Sequence, residues 1–295
     1  MWRNYWTVAV RALAKNRTYS IINIAGLAIG MAACIMILLY IRYEQSYDKW
    51  IPDVENTYQL QTWQPTPEDG EPFFIQMAPY VTKERVKKDF PQVEKAVYAQ
   101  YAAPVFLQDG QATPTEDYLY SDDDFLQVVN LPLAAGGTLT SVGSAVLTKQ
   151  EAIKRFGTDA VVGRTFTIIT RGVKRDFKVV GVLNDIPKNS HMKLSAILRF
   201  DFNQFYSTEP QFLTCWGCQS GWVYLKLRPG TDVKQLEAQM PAWEKRNIPD
   251  EPNGPAIWNA GKESDWHFVN LSDIHLGKAQ DGEMTPSNDS RTIAT

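Results

Sequence analysis

"IINIAGLAIGMAACIMILLYI", Ile21 to Ile41, carries no charged side chain in 21 residues. At the α-helical rise such a run spans roughly 31 Å, the hydrocarbon thickness of a typical bilayer. It is longer than the apolar core of a cleavable secretory signal, about 7–15 residues. "MAAC" at Met31 to Cys34 resembles a lipoprotein cleavage box, but cutting there leaves the apolar "IMILLYI" at the new N-terminus, where a polar tether is usual. The stretch therefore reads as an uncleaved transmembrane helix. It divides the chain into a short N-terminal flank and a large body.

Charge gives this helix a direction. Residues 1–43 hold Arg3, Arg11, Lys15, Arg17 and Arg42 but no acid; the body keeps the other 25 of 30 bases against all 33 acids, a net of −8. The positive-inside rule places the flank in the cytoplasm and the body outside. An acidic body also argues against nucleic acid, whose phosphates demand clustered bases. With 44% hydrophobic, 12% aromatic and 21% charged residues, the composition is that of a folded globular domain.

On the flank, Trp2, Tyr5, Trp6, Ala9 and Leu13 share one helical face, with Arg11 and Lys15 opposite. Tryptophan and tyrosine favour the headgroup layer and bases favour anionic lipid, so residues 1–19 read as an amphipathic helix lying on the cytoplasmic face of the membrane, with a helix buried among other membrane helices as the alternative. Within the membrane helix, Gly26, Gly30 and Cys34 recur at i, i+4, i+8 with Ala33 beside them. Small residues let a second helix approach closely, so this stripe is the candidate helix-packing face.

Two stretches of the body repeat a strand, helix, strand pattern. The first runs from the alternation at Tyr58, Leu60 and Thr62 through "APYVTKERVKKDF", a helix stopping before Pro91, to "VEKAVYAQYAAPVFL". The second has a strand at Val223, Leu225 and Leu227, a helix capped by Thr231 or Asp232 and bearing Val233, Leu236 and Met240, and a closing strand in "DWHFVNLSDIHL". Between them, "SAVLTKQEAIKRFG" reads as a strand and a short helix closed by Gly157. Then "RTFTIIT", "RDFKVVGVLNDIP" and "MKLSAILRF" read as strands, the first two joined by a hairpin turn at Gly172. Two strand, helix, strand halves flanking a mostly-β insertion is an α+β plan.

Reactive motifs are few. Cys215 and Cys218 in "TCWGCQSGW" have C-x-x-C spacing, but a catalytic pair needs its first thiol at a helix start and here a strand follows. Outside the cytoplasm the pair reads as a structural disulfide, with free thiols and thiol-disulfide oxidoreductase chemistry as alternatives. His191, His267 and His275 are the only histidines and none pairs at helical metal-ligand spacing. "SDDDF" at Ser121 to Phe125 lacks the spaced ligands of a calcium loop and reads as a helix start. The nearest phrase to a phosphate-binding loop, "GPAIWNAGKE", has the wrong spacing and no hydroxyl after Lys262, and no G-x-S-x-G elbow occurs. No catalytic, cofactor-binding or metal-binding residue is assigned.

Two longer stretches carry a family resemblance. "VAVRALAKNRTYSIINIAGLAIGMAACIMILLYIRYEQSYD" is similar to the N-terminal signature of ABC-transporter permeases with a MacB-like periplasmic core domain, within the FtsX-like permeases. In that signature A-x-R-x-L-x-K-N and a base lead into N-x-x-G-L-x-x-G; here these are Ala9, Arg11, Leu13, Lys15, Asn16 and Arg17, then Asn23, Gly26, Leu27 and Gly30. The insertion resembles the family's second motif at Phe156, Gly157, Gly163, Val180, Gly181, Val182, Asp185, Pro187, Asn189, Ser190 and His191. These motif positions are structural, not catalytic.

The resemblance implies a porter-like core: residues 43–115 and 206–280 as its halves, 116–205 as the inserted β-rich subdomain, 20–42 as the membrane helix and 281–295 as a linker toward a second membrane helix. It implies a permease that dimerises with a second copy and couples to a cytoplasmic ABC ATPase subunit. Such a permease uses ATP-driven motion to move its extracytoplasmic domain, acting on cargo or a periplasmic adaptor from the bacterial inner membrane. Relatives carry three further membrane helices, so the ATPase contact is expected beyond Thr295. Two rivals differ in class: a membrane-anchored thiol oxidoreductase using Cys215 and Cys218, and a one-pass sensor, for which a flank of about 20 residues leaves no room for a signalling module.

Overall fold

The computed structural model describes residues 2–64, 73–108, 110–248 and 266–288. The phosphate-loop-like phrase at residues 254–263 and the last part of the 281–295 linker lie outside them. The chain forms two compact units, Met1–Gln45 and Ser46–Thr295.

The first unit is α1 (Trp2–Lys15) and α2 (Arg17–Glu44). Asn16 between them leaves the helical region at φ −108°, ψ 55°. There Ser20 Oγ donates to Leu13 O at 3.0 Å and Arg17 Nε to Ala14 O at 3.2 Å, satisfying carbonyls that the end of α1 frees. With 28 residues α2 extends past the uncharged run at both ends; among the described residues it is the one helix long and apolar enough to cross a membrane. Its apolar side chains, Ile21, Leu27, Ile29, Met36 and Leu38 among them, are exposed on all sides.

The second unit contains β1 (Thr57–Gln64), β2 (Phe73–Ile75), β3 (Ala78–Pro79), α3 (Tyr80–Asp89), β4 (Val93–Ala102), β5 (Val105–Gln108), β6 (Gln111–Pro114), β7 (Tyr118–Ser121), β8 (Leu133–Gly136), β9 (Ser144–Thr148) and α4 (Lys149–Phe156). It continues through β10 (Thr165–Thr170), β11 (Val173–Leu183), β12 (Ala196–Arg199), α5 (Phe202–Phe205), β13 (Gln219–Leu227), α6 (Val233–Glu237), α7 (Met240–Asn247), β14 (Trp266–Asn270) and β15 (Ala279–Asp281).

Four long strands form the base in the order β14-β1-β13-β4, all neighbours antiparallel. Numbered by sequence this is 4-1-3-2, the split βαβ arrangement, with α3 linking β1 to β4 and α6–α7 linking β13 to β14. The inserted strands continue the same sheet. Val93–Ala99 of β4 pair with β13, and Ala99–Ala102 pair with β7, from which the ladder runs on through β12, β9, β11, β10, β5 and β6. The hairpin β5–β6, adjacent in sequence to β4, attaches by Val105–Leu107 to β10 at the far end of the insertion.

Both faces of the central strands are covered, and strand alternation sorts side chains between them. Tyr98, Tyr118, Leu147, Leu198 and Val223 join Val86 and Phe90 of the α3 region and Leu236, Met240 and Trp243 of α6–α7 in one core. Their neighbours Val97, Leu119, Val146, Ile197 and Tyr224 point to the opposite core with Ile51, Phe125, Leu271 and Met284.

Local signals act where they stand. Thr148 Oγ1 accepts from Glu151 N to start α4, and Gly157 at φ 73° ends it. Arg171 and Gly172, at φ 48° and 75°, form the β10–β11 turn with both central residues left-handed. Asp232 caps α6, but the expected single helix through Met240 divides into α6 and α7. Pro241 lies in the first turn of α7, where the amide it lacks would have no helical partner anyway.

Candidate functional site

The motif residues of the insertion collect around α4, β11 and the loop before β12. Asp185 Oδ1 accepts from Gln150 N at 3.0 Å, capping the first turn of α4 alongside Thr148. Gly163 sits at φ 90° and donates its N–H to Val179 O at 2.8 Å. Gly181 pairs with Gly136 of β8 and with Val146 of β9, and a Cβ there would lie 2.4 Å from Gly137 O. Pro187 lines an open cleft of about 350 Å³ with Asp185, Lys188 and Lys193.

Asn189, Ser190 and His191 grip the segment that follows α2 in sequence. Asn189 Nδ2 donates to Ser46 O at 3.2 Å and Ser46 Oγ at 3.0 Å, and Asn189 O accepts Asp48 N at 3.0 Å. The Asp48 carboxylate, fully buried, accepts Ser190 Oγ–H at 2.7 Å, His191 N–H at 3.1 Å and His191 Nδ1–H at 2.8 Å. A carboxylate can only accept, so His191 Nδ1 carries a hydrogen, and Nε2 faces Tyr224 OH at 3.3 Å. Gln59 Nε2 donates to the same phenol at 3.4 Å and Gln61 Nε2 to Gln59 Oε1 at 2.8 Å. Burial pushes the Tyr224 phenol well above its ordinary range, which keeps it a donor. On the other side Thr285 Oγ1 lies 3.2 Å from both Ser190 O and His191 O.

Sequence reasoning named Asn189, Ser190 and His191 but not Asp48, Tyr224, Gln59 or Thr285. Asp48 stands in polar "EQSYDKW", where no local pattern marks burial, and its partners are 142–143 residues away. The available signal was a histidine in a motif with no ligand or nucleophile beside it.

The other candidates lie apart from this cluster. Cys215 and Cys218 form a disulfide, S–S 2.03 Å, in a turn between the 3-10 helix Pro210–Leu213 and β13, with no helix following the first sulfur. Trp216, between them, meets Trp243 edge-on at 5.9 Å. The three acids of "SDDDF" have separate roles: Asp122 pairs with Lys83, Asp123 with Arg199 at 3.1 Å, and Asp124 caps the 3-10 helix Phe125–Gln127. His275 stacks on Tyr47, and His267 Nδ1 is 3.8 Å from Glu237. Among the described residues no group of His, Cys, Asp and Glu is placed to hold a metal ion. Asn23, Gly26, Gly30 and the free thiol of Cys34 are all exposed along α2.

The fold and motif positions together correspond to a known domain. Residues 20–243 match the MacB-like periplasmic core domain. The chain belongs to that family. Among solved structures it is similar to a domain of a protein described as a permease from Porphyromonas gingivalis, 21% identical, TM-score 0.57, over 75% of this chain and 91% of that one. That likeness shows a shared fold. Further matches are the periplasmic region of MacB from Actinobacillus actinomycetemcomitans (14% identical, 81% and 95% of the two chains, TM-score 0.49) and the extracellular domain of the noncanonic ABC-type transporter YknZ from Gram-positive bacteria (16%, 73% and 100%, TM-score 0.42). No curated protein matches the chain. A MacB-like core domain is a transporter permease component, and the match here takes in one apolar helix near its start.

Proposed function

We propose that this MacB-like chain serves in an ABC-transporter permease whose extracytoplasmic body is moved by ATP-driven rearrangement inside the cell. The observation that carries the reading is the match over residues 20–243, which takes in α2 and the body together. In this reading α2 spans the bacterial inner membrane, the five bases of residues 1–43 stay in the cytoplasm, and the acidic body lies in the periplasm. α1 rests at the cytoplasmic interface with exposed Trp2, Tyr5 and Trp6 in the headgroup layer.

Residues 43–115 and 206–280 are the porter-like halves and 116–205 the insertion, with hairpin β5–β6 reaching onto the inserted strands. A second permease copy, a cytoplasmic ATPase subunit and a periplasmic adaptor or cargo are the partners this division implies. No covalent chemistry is assigned to the chain. The geometry supports mechanical use: a single hydrogen-bonded sheet joins both halves and the insertion, so a push at one end is carried by the ladder.

Two measurements test this. Alkaline phosphatase fused after Thr285 should be active and a fluorescent protein there dark; the reverse result would place the body in the cytoplasm. In the complete permease, removal of residues 44–295 should abolish export while ATPase binding persists.

A further inference from the structure

We infer that the loop Asn189–His191 is a clasp that fastens the segment arriving from α2 to the segment leaving the body, so that both move as one with β13. On the arriving side the loop holds Ser46 through Asn189 and the buried carboxylate of Asp48 through Ser190 and His191. On the leaving side Thr285 bonds the carbonyls of the same two residues, 94–95 positions away. A second link runs parallel: Tyr47 stacks on His275 with centroids 3.3 Å apart, and His275 O accepts Asn288 N at 2.8 Å. The imidazole passes the junction on to β13 through Tyr224.

Asp48 marks the junction as more than packing. It is a non-glycine residue at φ 57°, a left-handed conformation that persists where its surroundings over-determine it. Its side chain is fully buried, and a buried carboxylate is retained where its donors are fixed in direction. Apolar residues would hold three segments together by contact alone; directional bonds, charge-assisted at Asp48 and neutral at Thr285, hold them in one register. The use of the clasp in transmitting motion rests on the reading above that α2 spans the membrane; the junction lies wholly within the second unit.

Hydrogen–deuterium exchange on the full chain in lipid nanodiscs tests the inference. Asp48→Asn keeps the size and tolerates the left-handed backbone, but removes the charge and one acceptor. Amides of residues 46–50 and 284–288 should then exchange faster together, by about tenfold or more, while β4 and β9 stay as in the wild type. Thr285→Val should speed residues 284–288 by about tenfold at most and leave 46–50 unchanged. Acceleration confined to 46–50 in Asp48→Asn would overturn the clasp, and so would acceleration reaching β4 and β9, which would make Asp48 a general stability element. Neither result depends on which side of a membrane the body occupies, so a failed fusion assay and a failed clasp are separable.

Discussion

Gly136 and Gly181 are register partners across β8 and β11, and neither has space for a methyl group. A Cβ on Gly136 would lie 2.3 Å from Val180 O, and one on Gly181 would lie 2.4 Å from Gly137 O. Both obstacles are backbone in a paired ladder, which cannot rotate aside. Gly181→Ala should therefore cost about 3 kcal/mol through overpacking. Gly157, by contrast, meets nothing within 4 Å and asks of alanine only the left-handed backbone at φ 73°, so Gly157→Ala should cost about 1 kcal/mol. Urea unfolding midpoints of the two variants should fall in that order; equal losses would refute the account of Gly181.

Lys83 and Asp122 form an ion pair with side chains 7% and 4% exposed, between α3 and the end of β7. Asp122 Oδ1 also accepts Tyr98 N at 2.9 Å. Burial works against the Lys83 ammonium, but the adjacent carboxylate more than offsets it and holds the pKa above the ordinary lysine range. Lys83→Met strands a carboxylate in the core and should cost about 3–5 kcal/mol. Replacing both, Lys83→Met with Asp122→Leu, should recover part of that loss because no charge is left unpaired. A double variant no more stable than the single one would show that the Tyr98 amide, and not the ion pair, dominates.

Buried phenols predict how stability responds to alkali. Burial raises the pKa of Tyr80, Tyr98, Tyr101 and Tyr118 above the ordinary phenol range, with Glu151 adding to the effect at Tyr118, and Tyr120 is pushed up to about 12. A group whose folded pKa exceeds its unfolded value contributes stability that is complete below the unfolded pKa and lost as pH rises toward the folded one. From these groups stability should be flat up to about pH 9.5 and then fall, at up to ~1.4 kcal/mol per pH unit for each phenol. Phenolate absorbance from these buried tyrosines should appear in one jump with unfolding. A smooth titration of all 13 tyrosines near pH 10 would contradict the burial described here.

Much of this architecture is legible in the sequence because its causes are local. Alternation marks β1 and β13, while short apolar runs bounded by turn residues mark β9 and β12, whose successive residues face the two cores in turn. Gly157 closes α4 and Arg171–Gly172 turn β10 into β11 through backbone conformations that few residues adopt. What escapes a local reading is pairing at a distance. Hairpin β5–β6 follows β4 directly yet bonds to β10, more than 50 residues on, and nothing in "VFLQ" specifies that partner. Asp48 escapes for the same reason: its burial is created by a loop over 140 residues away. The motif around His191 was visible as a pattern, while its purpose lay in residues outside the pattern.

The stripe Gly26, Gly30 and Cys34 supplies the last prediction. A Cβ on either glycine would meet nothing within 4 Å, and Cys34 is a free, exposed thiol. A stripe of small residues lets helices approach until backbones touch, and the gain is dispersion plus weak hydrogen bonds, without a hydrophobic drive in lipid. If two copies of the chain pack along it, mild oxidation of membranes should join them through Cys34, the one cysteine outside the Cys215–Cys218 bridge. Gly26→Leu and Gly30→Leu hold the helices apart and should cut the cross-linked dimer several-fold. Ile24→Ala should not, because Ile24 lies two residues from Gly26 and about 200° around the helix. Cross-linking that survives both leucines would remove the stripe as the packing face. Cross-linking absent from the wild type, with leucine variants that still impair the complete permease, would assign the stripe to a neighbouring helix of the same permease.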